Sequence, residues 1–168
     1  MRQPSAWAVP SWAVTFGEQA PDVVERLLGE LPGWFGVEES NRGYVESARH
    51  MPTYLVRPDG SADAAPAGVL LAARHFPAAA EIYLLAVSPG VHRQGAGRAL
   101  VEAFEADLIA DGVSLLQVKT NGPSHPDAGY VKTRLFYEAM GFLPLEEIPD
   151  FWPTNPCLIM IKALSGRK

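Results

Sequence analysis

One stretch concentrates the residue types that could do chemistry: Val87-Ser-Pro-Gly-Val-His-Arg-Gln-Gly-Ala-Gly-Arg-Ala-Leu100. An apolar strand ends at Val87, a short loop follows, and a helix begins within the glycine pair. This combination makes an anion site. The first amide N–H groups of a helix have no partner inside it and point outward. The helix dipole favours negative charge at that end. Gly95 and Gly97 lack side chains, so a phosphate can approach the backbone. His92, Arg93 and Arg98 add donors and charge, and Gln94 and Ala96 complete the loop.

Three readings of this loop compete. A glycine-rich turn can simply let the chain enter a helix. A nucleotide loop needs more than is present. A Walker loop requires Gly-Lys-Ser/Thr, and a dinucleotide fingerprint requires a third glycine where Leu100 stands. The third reading is a pyrophosphate loop of another type. Metal chemistry has no support: four histidines lie scattered without paired spacing, and Cys157 is the single cysteine. His50 and His75 have no motif around them. His125 reads as a loop histidine, with a base role as the lesser alternative.

Several elements must position this loop. Trp12–Phe16 reads as a short strand. Val23, Val24, Leu27, Leu28 and Leu31 recur at helical spacing after Pro21, and Pro32-Gly33 stops that helix. A weaker helix spans about 38–48. Residues 54–57 and 69–75 read as a hairpin around Asp59-Gly60, and Glu81–Val87 as a strongly apolar strand. Ala96–Ala110 is the clearest helix, with Leu100, Val101, Phe104, Leu108 and Ile109 in one stripe. Residues 113–119 form the next strand, 132–140 a short helix and 157–162 a last strand. A crossover helix between strands 81–87 and 113–119 predicts that they run parallel. The class is α/β (α+β), with helices over a single sheet.

Composition narrows the setting. The chain has 168 residues, 48% hydrophobic and 20% charged. That suits a single domain over 1–168, since domains cluster near roughly 100–150 residues. It is too apolar for a disordered chain. No apolar run reaches the ~18–20 residues of a membrane helix, so no membrane partner is expected. Pro4 and Pro10 interrupt the N-terminus, which does not read as a signal peptide. A lone cysteine excludes an internal disulfide framework and fits a cytoplasmic setting. The net charge of -5 gives no broad basic face for nucleic acid.

His92-Arg-Gln-Gly-Ala-Gly-Arg-Ala-Leu100 resembles the acetyl-CoA pyrophosphate loop of the GNAT superfamily of N-acetyltransferases, which follows a strand ending Val-x-Pro. Val87 and Pro89 match that ending, and Gly95 and Gly97 match the glycine spacing; His92 stands where the family has Arg or Gln. Leu135-Phe-Tyr-Glu-Ala-Met-Gly-Phe142 resembles the family's closing helix. Positions where the family often has Asn and Ala are Tyr130 and Thr133 here, after an unusual loop over 121–130. The resemblance covers about 12–164. It extends to a bacterial subgroup with a QVKT…TRxFYxxxGF…NPCLIMxK pattern.

The resemblance implies a mostly antiparallel sheet with helices on both faces. Its central parallel pair splays apart to admit acetyl-CoA, with no metal. It implies direct acetyl transfer to an amine of a small molecule or peptide, with a homodimer allowed. A lysine-like amine has a pKa near 10.4, so only about one in a few thousand is neutral at pH 7; a base is useful. The leaving thiol has a pKa near 8.5, and tyrosine can protonate it. Tyr137 occupies the family's general-acid position and also meets the cofactor; the bland alternative is a core tyrosine. Glu81 begins the strand on which the family often places a base, direct or through water; the alternative is a solvated strand-end carboxylate. Backbone groups of Leu85, Ala86 and Val87 should meet the pantetheine amides. Strand alternation puts Tyr83 and Leu85 on Glu81's face. Trp34, Phe35, Tyr44 and Tyr83 are candidates for the acceptor pocket, with Trp152 on its other side. Cys157 reads as buried rather than nucleophilic. A non-catalytic acyl-CoA sensor would carry the same loop and needs neither Tyr137 nor Glu81.

Overall fold

The computed structural model describes residues 10–165, so the proline-interrupted stretch before Pro10 lies outside the described residues. Seven strands form one sheet: β1 (Trp12–Phe16), β2 (Thr53–Pro58), β3 (Gly68–Phe76), β4 (Ala79–Val87), β5 (Leu115–Asn121), β6 (Leu143–Ile148) and β7 (Cys157–Ala163). Their order is β1-β2-β3-β4-β5-β7-β6. Only β4 and β5 pair in parallel; the other neighbours are antiparallel. The expected α/β (α+β) class and topology are therefore present. Among the described residues no helix is long and apolar enough to cross a membrane.

Among the described residues four α-helices cover the sheet. α1 (Pro21–Glu30) and α2 (Glu38–Ser47) lie on one face, where Val24, Leu27 and Leu28 pack on Leu55, Val69, Leu71, Leu84 and Ala86. α3 (Ala96–Ala110) and α4 (Ala128–Ala139) lie on the other. There Leu100, Phe104 and Tyr137 pack on Val56, Leu70, Ile82, Leu116 and Met160. Opposite faces of β2 and β3 feed opposite cores, as strand alternation requires.

Several bounds differ from the sequence expectations: β4 starts at Ala79 rather than Glu81, and β5 at Leu115 rather than Val113. α4 starts at Ala128, because the Asp127 carboxylate accepts from the Gly129 N–H at 2.7 Å and caps it. β5 runs to Asn121, two residues beyond the expected end. β6 was not expected at all. Its sequence, LPLEEI, shows no clean alternation, and Pro144 is tolerated because β6 is an edge strand.

Two irregularities in the β3–β4 pair shape the centre. Leu71 pairs with Leu84 and Ala72 with Ile82, so Tyr83 is an extra residue in β4. Arg74 pairs with Ala80 and Phe76 with Ala79, so His75 is an extra residue in β3. Each is a β-bulge, which re-aims the side chains around it.

Candidate active site

The parallel ladder between β4 and β5 runs from Ala79–Leu115 to Ile82–Val118 and stops there. β4 continues to Val87 and β5 to Asn121 without pairing to each other. The central strands therefore fork, as the cofactor placement requires.

The glycine loop closes the open end of that fork. Gly95 caps α3 with φ of 89°, a left-handed conformation suited to glycine, and no side chain caps the helix. The N–H groups of the first turn are thus free to meet an anion. Trp12 donates through Nε1 to the Gln94 carbonyl at 2.6 Å, and His92 donates through Nε2 to the Val87 carbonyl at 2.8 Å. His92 thus ties the loop to the strand end. Arg98 makes a 3.5 Å ion pair with Glu102. Arg93 is exposed, at φ of 61°. Behind the helix start, a Cβ on Gly97 would lie 3.4 Å from the Phe136 ring. Ala96 is buried beside these residues.

Tyr137 sits in α4 on the far face, edge-on to Phe136 and Phe142. Burial, and then the Tyr44 phenol on the opposite face of the sheet, push its hydroxyl well above the ordinary tyrosine range. Among the described residues its hydroxyl has no hydrogen-bond partner contributing to that shift. It therefore keeps its proton at neutral pH.

The other wall is aromatic. Tyr44 packs edge-on against Tyr83 at 5.5 Å and against Phe35 at 6.1 Å. Burial, with Tyr83, Tyr130 and Glu81 nearby, pushes the Tyr44 hydroxyl up to about 12. Trp34 bridges the two sides: its ring meets His92 at 5.9 Å, and its carbonyl accepts from the Tyr130 hydroxyl at 2.5 Å. The loop with Phe151 and Trp152 approaches from beyond, with Lys119 Nζ 5.9 Å from the Phe151 ring centroid. The four expected acceptor residues thus share one face with Tyr130, whose signal in the sequence was only a departure from the family pattern.

One expectation fails. Leu85 does not share Glu81's face: the Tyr83 bulge shifts the alternation, so Leu85 and Val87 pack with the α3 core while Leu84 and Ala86 pack with α1. Tyr83 itself stays with Glu81, beside Tyr44. Local alternation carries no information about such a bulge.

Glu81 is buried, at 4% exposure. Its Oε1 accepts from Lys119 at 2.8 Å, and its Oε2 accepts from Gln117 at 3.1 Å and from His75. Burial alone would raise this carboxyl, but the Lys119, His75 and Gln117 hydrogen bonds outweigh it and hold the pKa below the usual glutamate value. Gln117 and Lys119 alternate on β5, a legible signal; His75 arrives through a bulge, which is not. Because the folded pKa is depressed, this carboxylate stabilises the fold above the unfolded value near 4.3 and loses that contribution as pH falls through the folded value. Glu81→Gln should cost about 1–3 kcal/mol at pH 7. Melting measured from pH 7 down to pH 3 should show a shallower acid decline in the variant; an identical decline would contradict the assignment.

Cys157 is buried, and burial pushes its thiol up, away from the reactive thiolate form. His125 Nδ1 accepts from the Asp127 N–H at 3.2 Å, and its ring packs on Tyr130. Among the described residues no three His, Cys, Asp or Glu side chains converge as a metal site.

Residues 55–144 match the family model described as an acetyltransferase (GNAT) domain. A search of curated proteins found no match. Among solved structures, the chain is similar to a GNAT-family protein from Desulfovibrio desulfuricans, at 21% identity and a TM-score of 0.75, covering 91% of this chain and 100% of that one. It is also similar to the ribosomal-protein-S18-alanine N-acetyltransferase of Escherichia coli, at 18% identity and 0.72, covering 94% and 97%. A third is a GNAT-family acetyltransferase from Elizabethkingia anophelis with acetyl-CoA bound, at 15% and 0.69, covering 91% and 98%. At these identities the structural likenesses speak for the fold, while the family model spans more than half of the sequence: the chain belongs to the GNAT acetyltransferase family.

Proposed function

We propose that this protein is an acetyl-CoA-dependent N-acetyltransferase that moves an acetyl group directly to a primary amine of a small molecule or peptide. The observation that carries this reading is the fork between β4 and β5, with an uncapped helix start at its mouth and a buried tyrosine beside it. The residues fit the cofactor. The N–H groups after Gly95 take the pyrophosphate, and Gly97 leaves room for it. Arg93 and Arg98 supply positive charge, Gln94 and Ala96 line the loop, and His92 fixes it to Val87. The edge of β4 at Leu85, Ala86 and Val87 faces the fork and meets the pantetheine amides.

Acetyl-CoA supplies a thioester already activated for acyl transfer. Tyr137 gives its proton to the departing sulfur, a task suited to a group that burial keeps protonated. Trp34, Phe35, Tyr44 and Tyr83 form the aromatic wall that orients the amine and excludes water. Glu81 organises the basic end of this face, through Lys119 and His75.

One observation favours a second reading. Glu81 meets three donors and is held ionised, which makes it a weak base; a non-catalytic acyl-CoA sensor needs no base at all. Thiol release from acetyl-CoA, screened across amino acids, peptides, polyamines and aminoglycosides, separates the two. Release that depends on an amine supports the enzyme. Tight acetyl-CoA binding without release supports the sensor.

A further inference from the structure

We infer that His75, and not Glu81, is the group that takes the proton removed from the acceptor amine, with Glu81 as its positioning residue. This rests on the acetyltransferase reading of the same site.

The argument begins with hydrogen-bond roles. An ionised carboxylate can only accept. Glu81 bonds the Nε2 of His75, so that nitrogen carries the hydrogen. A neutral imidazole bonded in this way has its lone pair on Nδ1. Lys119 and Gln117 also donate to Glu81, so all three partners of this carboxylate are donors, and its acceptor capacity is largely taken. Exposure separates the roles further. The Glu81 side chain is 6% exposed, whereas that of His75 is 45% exposed. A group that must take a proton from substrate and pass it to solvent needs contact with both.

Placement agrees. Glu81 pairs with Gln117 one step before the last rung of the ladder, at the closed end of the fork. His75 is the bulged residue of β3 across from Ala79 and Ala80, and its bond to Glu81 puts it on the face that carries Tyr83 and Tyr44. Without the bulge, β3 would have no extra residue at this point. The charged groups around it are Glu81 and, through Glu81, Lys119; neighbouring Arg74 instead points to Asp111 at 3.8 Å.

The proton balance is complete. An ammonium acceptor loses one proton through water to His75 Nδ1. Its nitrogen then bonds the acetyl carbon, and the carbon–sulfur bond breaks with its electron pair left on sulfur. Tyr137 protonates that sulfur. The second proton on nitrogen restores Tyr137 through solvent, and His75 releases the first to bulk water. Products are the amide, the free thiol and one proton.

Two measurements test this. In the free protein, long-range 15N–1H spectra should show His75 with hydrogen on Nε2 and a bare Nδ1; the opposite tautomer would overturn the inference. His75→Ala should lower kcat by about 10²-fold with the acetyl-CoA KM unchanged, and added imidazole should restore at least about tenfold. Unchanged kcat, or a loss that imidazole does not rescue in a variant with native melting, would also overturn it. Absence of thiol release from the unmodified protein with every amine is a different result: it would overturn the acetyltransferase reading and this inference with it.

Discussion

Tyr137→Phe is expected to lower kcat by about 10²–10³-fold while leaving acetyl-CoA affinity within about twofold. The substitution removes one oxygen and keeps the ring. The ring contributes the packing, against Phe136 at 5.2 Å and Phe142 at 5.5 Å. Among the described residues no partner is orphaned by losing this hydroxyl, so melting should be unchanged or slightly higher. What disappears is a protonated donor beside the fork. The expected signature is therefore a loss in kcat, with neither binding nor stability affected. It is measured by steady-state thiol release beside calorimetric titration of acetyl-CoA. Unchanged kcat would remove Tyr137 from the acid role and return it to the core. The loss should be smaller for a thioester whose thiol has a lower pKa, because a better leaving group needs less help.

The second large effect is in binding. Gly97→Val should weaken acetyl-CoA at least tenfold, because its Cβ starts 3.4 Å from Phe136 and 3.7 Å from a Val87 methyl. The added methyl groups must press on Phe136 or project where the pyrophosphate approaches. Gly97→Ala is the internal control, since a single Cβ makes only ordinary van der Waals contact there. Gly95→Ala acts differently. Its Cβ meets nothing closer than Trp12 at 3.8 Å, but its φ of 89° costs a non-glycine residue about 1–2 kcal/mol. That variant should lose stability as well as affinity. A Gly97→Val protein that binds acetyl-CoA normally would remove the α3 start from the cofactor site. Phe136 lies beside Tyr137, so a modest fall in kcat can accompany the binding loss without contradicting the assignment.

How much of this was legible in the chain depends on the scale of the signal. The anion loop was legible because its requirements are local: a strand end, a left-handed cap and a helix start follow one another in sequence. The place of Tyr137 on the helix before Gly141 was legible through its motif, and the fork followed from placing a cofactor between two parallel strands. The β6 edge was not legible, since LPLEEI carries neither alternation nor a continuous apolar run. The face of Leu85 was misjudged for a tertiary reason: the bulge at Tyr83 depends on how β3 pairs with β4, which strand periodicity alone does not encode. The same limit hid His75. It looked isolated because its partner Glu81, and the Gln117 and Lys119 donors beyond that carboxylate, reach it only through the bulge and the sheet register. The sequence places Glu81 at the start of the strand, but β4 begins at Ala79 and Glu81 is a buried position within it, where three donors surround one carboxylate. The acceptor amine itself is encoded by no motif: the aromatic wall draws on the α1–α2 connection, on α2 and on β4.

The central claim is direct transfer from acetyl-CoA in the fork to an amine. A single turnover with acetyl-labelled acetyl-CoA, followed by mass spectrometry of both protein and small molecules, tests it most directly. The account predicts one labelled amide for each thiol released and no label on the protein, Cys157 included. Label accumulating on the protein, or acetyl-CoA bound and recovered intact beside every amine, would contradict it.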